Sequence, residues 1–181
     1  LCDRLGLRSE TISGVSAFSA CAAAAEVEIT LPEVAQSLIL TRLEGGRTPM
    51  PPKESVREFA RHGTTMALYL SAARNKVLQD ELLAGGYPPQ TPVIIGHRVS
   101  WPDQVVLRCR LDELSATMKD HKFWKHTGIL VGPALAATPL VKRSHLYHPG
   151  FRHEFRAADP DAARALAERG AVVDETRAAR S

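Results

Sequence analysis

Residues 92–112, P-V-I-I-G-H-R-V-S-W-P-D-Q-V-V-L-R-C-R-L-D, constrain the fold more than any other stretch of this chain. Two apolar runs, Val93-Ile94-Ile95 and Val105-Val106-Leu107, are divided by a polar segment with a stiff Trp101-Pro102-Asp103 centre. Such a pair predicts an antiparallel hairpin. Val105, Leu107, Cys109 and Leu111 recur at period two, with Arg108 and Arg110 on the other face. Hairpin loops usually need only about two to five residues, so the segment 98–103 is longer than closure requires. It is expected either to bind a ligand or to pack beneath a neighbour, and Trp101 carries the same two alternatives.

The flanking segments alternate between strand and helix patterns. Residues 37–42, 64–70 and 127–132 are short apolar runs bounded by glycine, proline or polar residues, and each predicts a strand. The first is expected to be buried on both sides. Helices are predicted over 55–62, 75–84 and 112–121. Their inward positions are Val56, Phe59 and Ala60; Val77, Leu78, Leu82 and Leu83; and Leu114 and Met118, with Asp112 as an N-cap. Strands interleaved with helices, plus one hairpin, give an α/β fold with a mixed sheet.

Nearer the start, residues 1–7 have the pattern of a helix end closed by Gly6, and 10–13 that of a brief strand. A glycine turn, a hydroxyl residue and a small-residue helix follow, from Gly14 through Ser16 to Ala25. That order points main-chain N–H groups at a ligand, although Ser16 serves equally as a plain N-cap. Residues 29–33 read as an extended linker and place a domain boundary near 34. The chain opens at Leu1 within a helical pattern and is expected to be a portion of a longer protein.

Composition narrows the function classes. A formal net charge of +3 with dispersed basic residues argues against nucleic acid as a partner. Three distant cysteines, Cys2, Cys21 and Cys109, without a C-x-x-C pattern fit a reducing, cytoplasmic compartment and give no zinc signature. No apolar run approaches the roughly 20 residues of a membrane span, and no membrane partner is expected. The loop 44–52 is too rich in glycine and proline for regular structure. Its neighbours Arg42, Glu44 and Arg47 either hold a polycarboxylate or are solvated loop charges. His145, His148 and His153 allow a metal site, but a surface tail with incidental histidines is the simpler account, and no metal is expected. The tail 141–181 is expected to be partly disordered, with a helix over 161–169.

None of the common nucleophile, zinc-hydrolase, P-loop or dinucleotide motifs is present. Cys21 has no histidine nearby in sequence to activate it. Chemistry here would therefore rest on holding two reactants in line. No catalytic residue is assigned; His97 is either a base beside the loop or a structural histidine.

Six segments together, G-V-S-A-F, L-T-R-L-E-G-G-R-T-P, G-T-T-M-A-L-Y-L-S, L-L-A-G-G-Y-P-P-Q-T-P-V, H-R-V-S-W-P-D and I-L-V-G-P-A-L, resemble the tetrapyrrole (corrin/porphyrin) methylase family. The likeness runs in order from Leu1 to about Arg156, and L-E-G-G-R-T-P with S-W-P-D is its more specific part. It implies an α/β, tetrapyrrole methylase-like fold: residues 1–34 as the last strand and helix of an N-terminal Rossmann-like domain, 35–140 as a C-terminal mixed-sheet domain, and 141–181 as a tail. It further implies S-adenosyl-L-methionine as cofactor, a precorrin-type tetrapyrrole as substrate, methyl transfer to a ring carbon in cobalamin biosynthesis, and a homodimer. Carried over by position, Ser16, Ala17, Met66, Val99, Ser100, Thr127 and Gly128 would meet the cofactor, and Arg42, Arg47 and Trp101 the macrocycle. The family's N-terminal G-x-G-P-G-D and G-D-P motifs are not among these residues, and Ser13 stands where proline is frequent. The expectation is an enzyme portion that is inactive alone; a non-catalytic remnant or binding module is the alternative.

Overall fold

The apolar runs of 92–112 form the expected hairpin: β3 (Pro92–His97) pairs antiparallel with β4 (Val105–Arg110), His97 opposite Val105. The structure, a computed structural model, describes residues 1–45, 48–51, 53–136, 149–152 and 154–168. Helix α1 (Ala17–Ala24) comes first, followed by β1 (Leu38–Arg42), α2 (Val56–Ala60), β2 (Thr65–Tyr69) and α3 (Asn75–Ala84). After the hairpin come α4 (Leu114–Asp120) and β5 (Thr127–Val131).

The five strands lie in one sheet of order β1-β2-β5-β3-β4. Only β1 and β2 are parallel; β5 inserts antiparallel between β2 and β3, so the sheet is mixed as predicted. Period-two alternation divides its side chains between two cores. Met66, Leu68, Val93, Ile95, Ile129 and Val131 pack with Leu78, Leu82, Leu114 and Met118 on the side of α2, α3 and α4. Ala67, Ile94 and Leu130 pack with Cys21, Ala22 and Ala25 of α1 on the other side. A buried polar set ties α3 to α4: Ser115 Oγ donates to Asn75 Oδ1 at 2.8 Å, and its N–H to Gln79 Oε1 at 2.8 Å.

Several expectations need correction. Residues 10–13 are not a strand; they are exposed and no strand among the described residues pairs with them. Residues 1–7 form only a short 3-10 turn, Asp3–Leu5. Strand β1, at the sheet edge, is not buried on both sides: Leu40 is 52% exposed. Val77 faces outward, and the polar Asn75 and Gln79 take inward positions because Ser115 satisfies them. Asp112 caps nothing: Glu113 Oε2 accepts the Arg110 N–H at 2.9 Å, while Asp112 pairs with the Arg110 guanidinium. Arg108 is more than a solvent-facing charge, since it donates to the Ala25 carbonyl just past α1.

Residues 1–30 and 34–136 share one unit, so α1 and the sheet have a common core across the expected boundary near 34. Residues 31–33 group with the C-terminal residues in a second unit, in which 160–168 are helical. Gly46, Arg47, His145, His148 and His153 lie outside the described residues. No helix among the described residues is long and apolar enough to cross a membrane.

Candidate functional site

One cleft, about 680 Å³ in volume, opens where the start of α1 meets the strand ends of the sheet. Its floor is set by two glycines. Gly96 and Gly128 pair across β3 and β5, and Cys21 of α1 sits over them; a Cβ on Gly96 would stand 2.5 Å from the Cys21 sulfur, one on Gly128 3.1 Å. Side chains at those positions would push α1 off the sheet.

One wall is the loop between β3 and β4, shaped by its own hydrogen bonds. The Arg98 N–H donates to the His126 carbonyl at 2.8 Å, Trp101 N–H to Arg98 O at 2.9 Å, and Ser100 N–H to Gln104 Oε1 at 3.0 Å. Arg98 pairs with Asp103, and this hydrogen bond holds the Asp103 carboxyl below the usual range. The Arg98 guanidinium lies 5.2 Å from the Trp101 ring, and the His126 ring 5.4 Å from it. Trp101 thus has the Arg98 guanidinium and the His126 ring against it and half its surface open. Trp124 and Lys125 line the same cleft.

The opposite wall comes from the end of β2. Tyr69 Oη accepts the Phe18 N–H at 3.0 Å and lies 3.4 Å from Ser16 Oγ. The tyrosine hydroxyl therefore satisfies an N–H of the first turn of α1, and Ser16, although at the N-cap position, makes no side-chain cap bond. Leu70 follows in the left-handed region at φ 54° with 89% of its surface exposed. Arg98, Ser100 and His126, also lining the cleft, have φ of 49°, 73° and 52°. Non-glycine residues in that region cost about 1–3 kcal/mol each and cluster where function requires a shape.

His97 does not reach the cleft. It stacks on Phe123, with ring centroids 4.2 Å apart and planes 10° apart, and its Nδ1 is 3.0 Å from Thr127 Oγ1. Burial, then the Arg98 charge, lowers its pKa below the ordinary value.

Of the residues expected at a cofactor site, Ala17, Val99, Ser100, Thr127 and Gly128 line this cleft, and Trp101 joins them. Ser16 stands at its edge beside Tyr69. Met66 does not join them; its side chain is fully buried in the core on the far side of the sheet. Arg42 borders a neighbouring groove with Met50, Glu54 and Phe59, and its guanidinium donates to the Leu43 and Thr48 carbonyls at 3.4 and 3.3 Å. Tyr69 and Leu70 are common to cleft and groove. Sequence patterns missed Tyr69, Leu70, Trp124 and His126, for which an aromatic at a strand end and a Trp between helix and strand were the available signals; Arg98 lies in the loop 98–103 already expected to bind or pack. Among the described residues, no three His, Cys, Asp or Glu side chains are grouped to hold a metal ion.

The model of the family described as Tetrapyrrole (Corrin/Porphyrin) Methylases matches residues 1–115. This chain belongs to the tetrapyrrole methylase family. Among its methylase relatives, the cobalt-precorrin-4 C(11)-methyltransferase of Methanocaldococcus jannaschii is 40% identical over 154 residues, 85% of this chain and 59% of the relative. The precorrin-4 C(11)-methyltransferase of Mycobacterium tuberculosis is 42% identical over 145 residues, 80% of this chain and 57% of that protein. A crystal structure of cobalt precorrin-4 methyltransferase, a cobalamin biosynthetic enzyme, superposes with TM-score 0.70 at 38% identity, covering 74% of this chain and 56% of that one. Uroporphyrin-III C-methyl transferase from Thermus thermophilus, solved with S-adenyl homocysteine, shares the methylase fold at TM-score 0.56 and 22% identity, covering 74% and 57%. The chain thus spans a little under three fifths of these two relatives and of the first structure.

Proposed function

We propose that this chain is part of an S-adenosyl-L-methionine-dependent methyltransferase of the precorrin-4 C(11) type, acting in cobalamin biosynthesis, and that the cleft receives the cofactor. The observation carrying this is the convergence of α1, the end of β2, the β3–β4 loop and the start of β5 on one cleft, in a methylase-family chain. The cleft volume falls within the roughly 300–1,000 Å³ of small-molecule sites. Tyr69, Trp101 and Trp124 offer flat faces suited to a nucleobase and to a sulfonium cation. The buried Arg98 Nε has no partner among the described residues and leaves a donor at the wall. When bound, the cofactor supplies a methyl group activated on sulfur. The work of the chain is positional. Val99, Ser100, Thr127 and Gly128 hold the adenosyl part, Ser16 and Ala17 close its edge, and Tyr69 and Leu70 take the place on β2 for which Met66 was expected.

The precorrin-type substrate lies toward the Arg42 groove and Trp101. Arg42 exchanges its bonds to the Leu43 and Thr48 carbonyls for forked hydrogen bonds to the substrate's carboxylates, and Arg47 is assigned the same class of partner. No side chain is assigned to proton removal, and His97, stacked on Phe123 behind the sheet, is not the base. The working assembly is a cytoplasmic homodimer. Because the family's glycine-rich and G-D-P motifs are not in these residues, the chain alone does not turn over.

The test is a titration of the chain with S-adenosylhomocysteine by calorimetry and tryptophan fluorescence. Both tryptophans line the cleft, so emission changes with occupancy. Micromolar binding without methyl transfer supports the proposal. Absence of binding favours the second reading, a non-catalytic remnant, which the partial span of the relatives allows. Robust methyl transfer by the chain alone refutes the prediction that these residues do not turn over without the family's glycine-rich and G-D-P motifs.

A further inference from the structure

We propose that His97 is a positioning residue of the cleft: from the far face of the sheet it locks, through Thr127, the bend at Lys125 and His126 that forms one wall. The inference rests on the cofactor assignment above for its functional meaning, and on proton counting for its geometry. Thr127 Oγ1 lies 3.0 Å from His97 Nδ1 and 2.8 Å from the Lys125 carbonyl oxygen. A hydroxyl has one proton to give, and the carbonyl can only accept. The Thr127 proton therefore goes to Lys125 O, and Thr127 Oγ1 accepts from His97 Nδ1–H. Neutral His97 is held as the Nδ1–H tautomer, with Nε2 bare.

Everything in this relay is clamped. The His97 ring stacks on the buried Phe123, against which His121 also tilts at 5.5 Å. Thr127 is only 9% exposed and pairs with His97 across β3 and β5. The first residue after β3 secures the same bend, since the Arg98 N–H donates to His126 O at 2.8 Å, where His126 has φ 52°. Two successive residues, one by side chain and one by main chain, thus tie down a segment whose conformation is unfavourable on its own. The charged groups around His97 are Arg98 and Asp103 on the loop and His126 on the bend, with His121 beyond Phe123; burial, Arg98 and His126 disfavour a positive charge there, and the Lys125 carbonyl and Asp103 oppose them. Protonation would add a proton only at Nε2 and leave the Thr127 bond intact, so the relay works as a brace at either charge state.

The test uses the full chain. Long-range ¹H–¹⁵N spectra of the His97 ring at neutral pH report the Nδ1–H tautomer if the relay is present. His97→Phe keeps the stacking ring but removes the donor, His97→Asn returns a donor near the Nδ1 position, and Thr127→Val removes the hydroxyl at constant shape. His97→Phe and Thr127→Val each speed exchange of the Arg98 amide and weaken S-adenosylhomocysteine binding, by about five- to tenfold, the scale of one hydrogen bond. His97→Asn recovers most of both, and the double variant is no worse than either single one. An Nε2–H tautomer, additive losses, or an Asn variant as poor as Phe overturns the relay even if the ligand binds. A correct tautomer and exchange pattern with no ligand binding keeps the brace and sinks the cofactor assignment instead.

Discussion

The Cys21 sulfur lies over Gly96, so near that a Cβ there would stand 2.5 Å away, with Val99 Cγ2 at 2.8 Å. Helix α1 can reach the sheet, and the cleft can have its floor, only because that strand position carries no side chain. Gly96→Ala is expected to cost about 1–3 kcal/mol by overpacking, and Gly128→Ala less because its contact is looser. Removing the sulfur in Cys21→Ala/Gly96→Ala recovers part of the loss. Urea unfolding of the three variants checks this, and a Gly96→Ala protein as stable as the parent would sink it.

Tyr69 caps α1 from a distance in sequence. Tyr69→Phe removes the acceptor for the Phe18 N–H while keeping the ring, at an expected cost of about 0.5–1.5 kcal/mol. Amide exchange at Phe18 should accelerate, with β3 and β5 unaffected. Unchanged protection at Phe18 would show that the cap is not made in solution.

The pH dependence of stability has a definite sign. The His97 pKa in the fold lies below its ordinary value of 6.5, so the unfolded chain takes up this proton first. The His97 contribution is fully present above about 6.5 and declines as pH falls from there through the lower folded value. Urea midpoints measured across that window should drop toward acid, and His97→Phe should flatten the drop. A steeper acid loss in the variant contradicts the assignment.

Thiol reactivity should separate the three cysteines. Burial raises the Cys21 thiol pKa, and burial pushes that of Cys109 up to about 11, whereas Cys2 is exposed. Iodoacetamide at pH 8 is expected to add one label to the native chain, at Cys2, and three in denaturant. Mass spectrometry counts them; rapid native labelling of Cys21 would mean that α1 does not seat on the glycine pair.

The sequence alone determined the local elements and the kind of sheet. The hairpin, the bounds of α3 at Asn75 and Ala84, and the apolar runs of β2 and β5 follow from periodicity, because period two and period 3.6 are properties of the chain itself. The long β3–β4 loop was also legible, since the segment 98–103 exceeds what a turn needs. Tertiary structure decided which face each residue served. Met66 and Tyr69 lie three residues apart on one strand, yet parity sends Met66 into the α3–α4 core and leaves Tyr69 at the strand end over α1. Trp124 gained a place on the cleft only because β5 inserts between β2 and β3, a pairing no local pattern encodes. His97 and Thr127 are thirty positions apart, and only strand register brings the ring nitrogen within reach of the hydroxyl. Periodicity specifies which side chains alternate; long-range pairing specifies what they meet, because register joins residues that share no local signal.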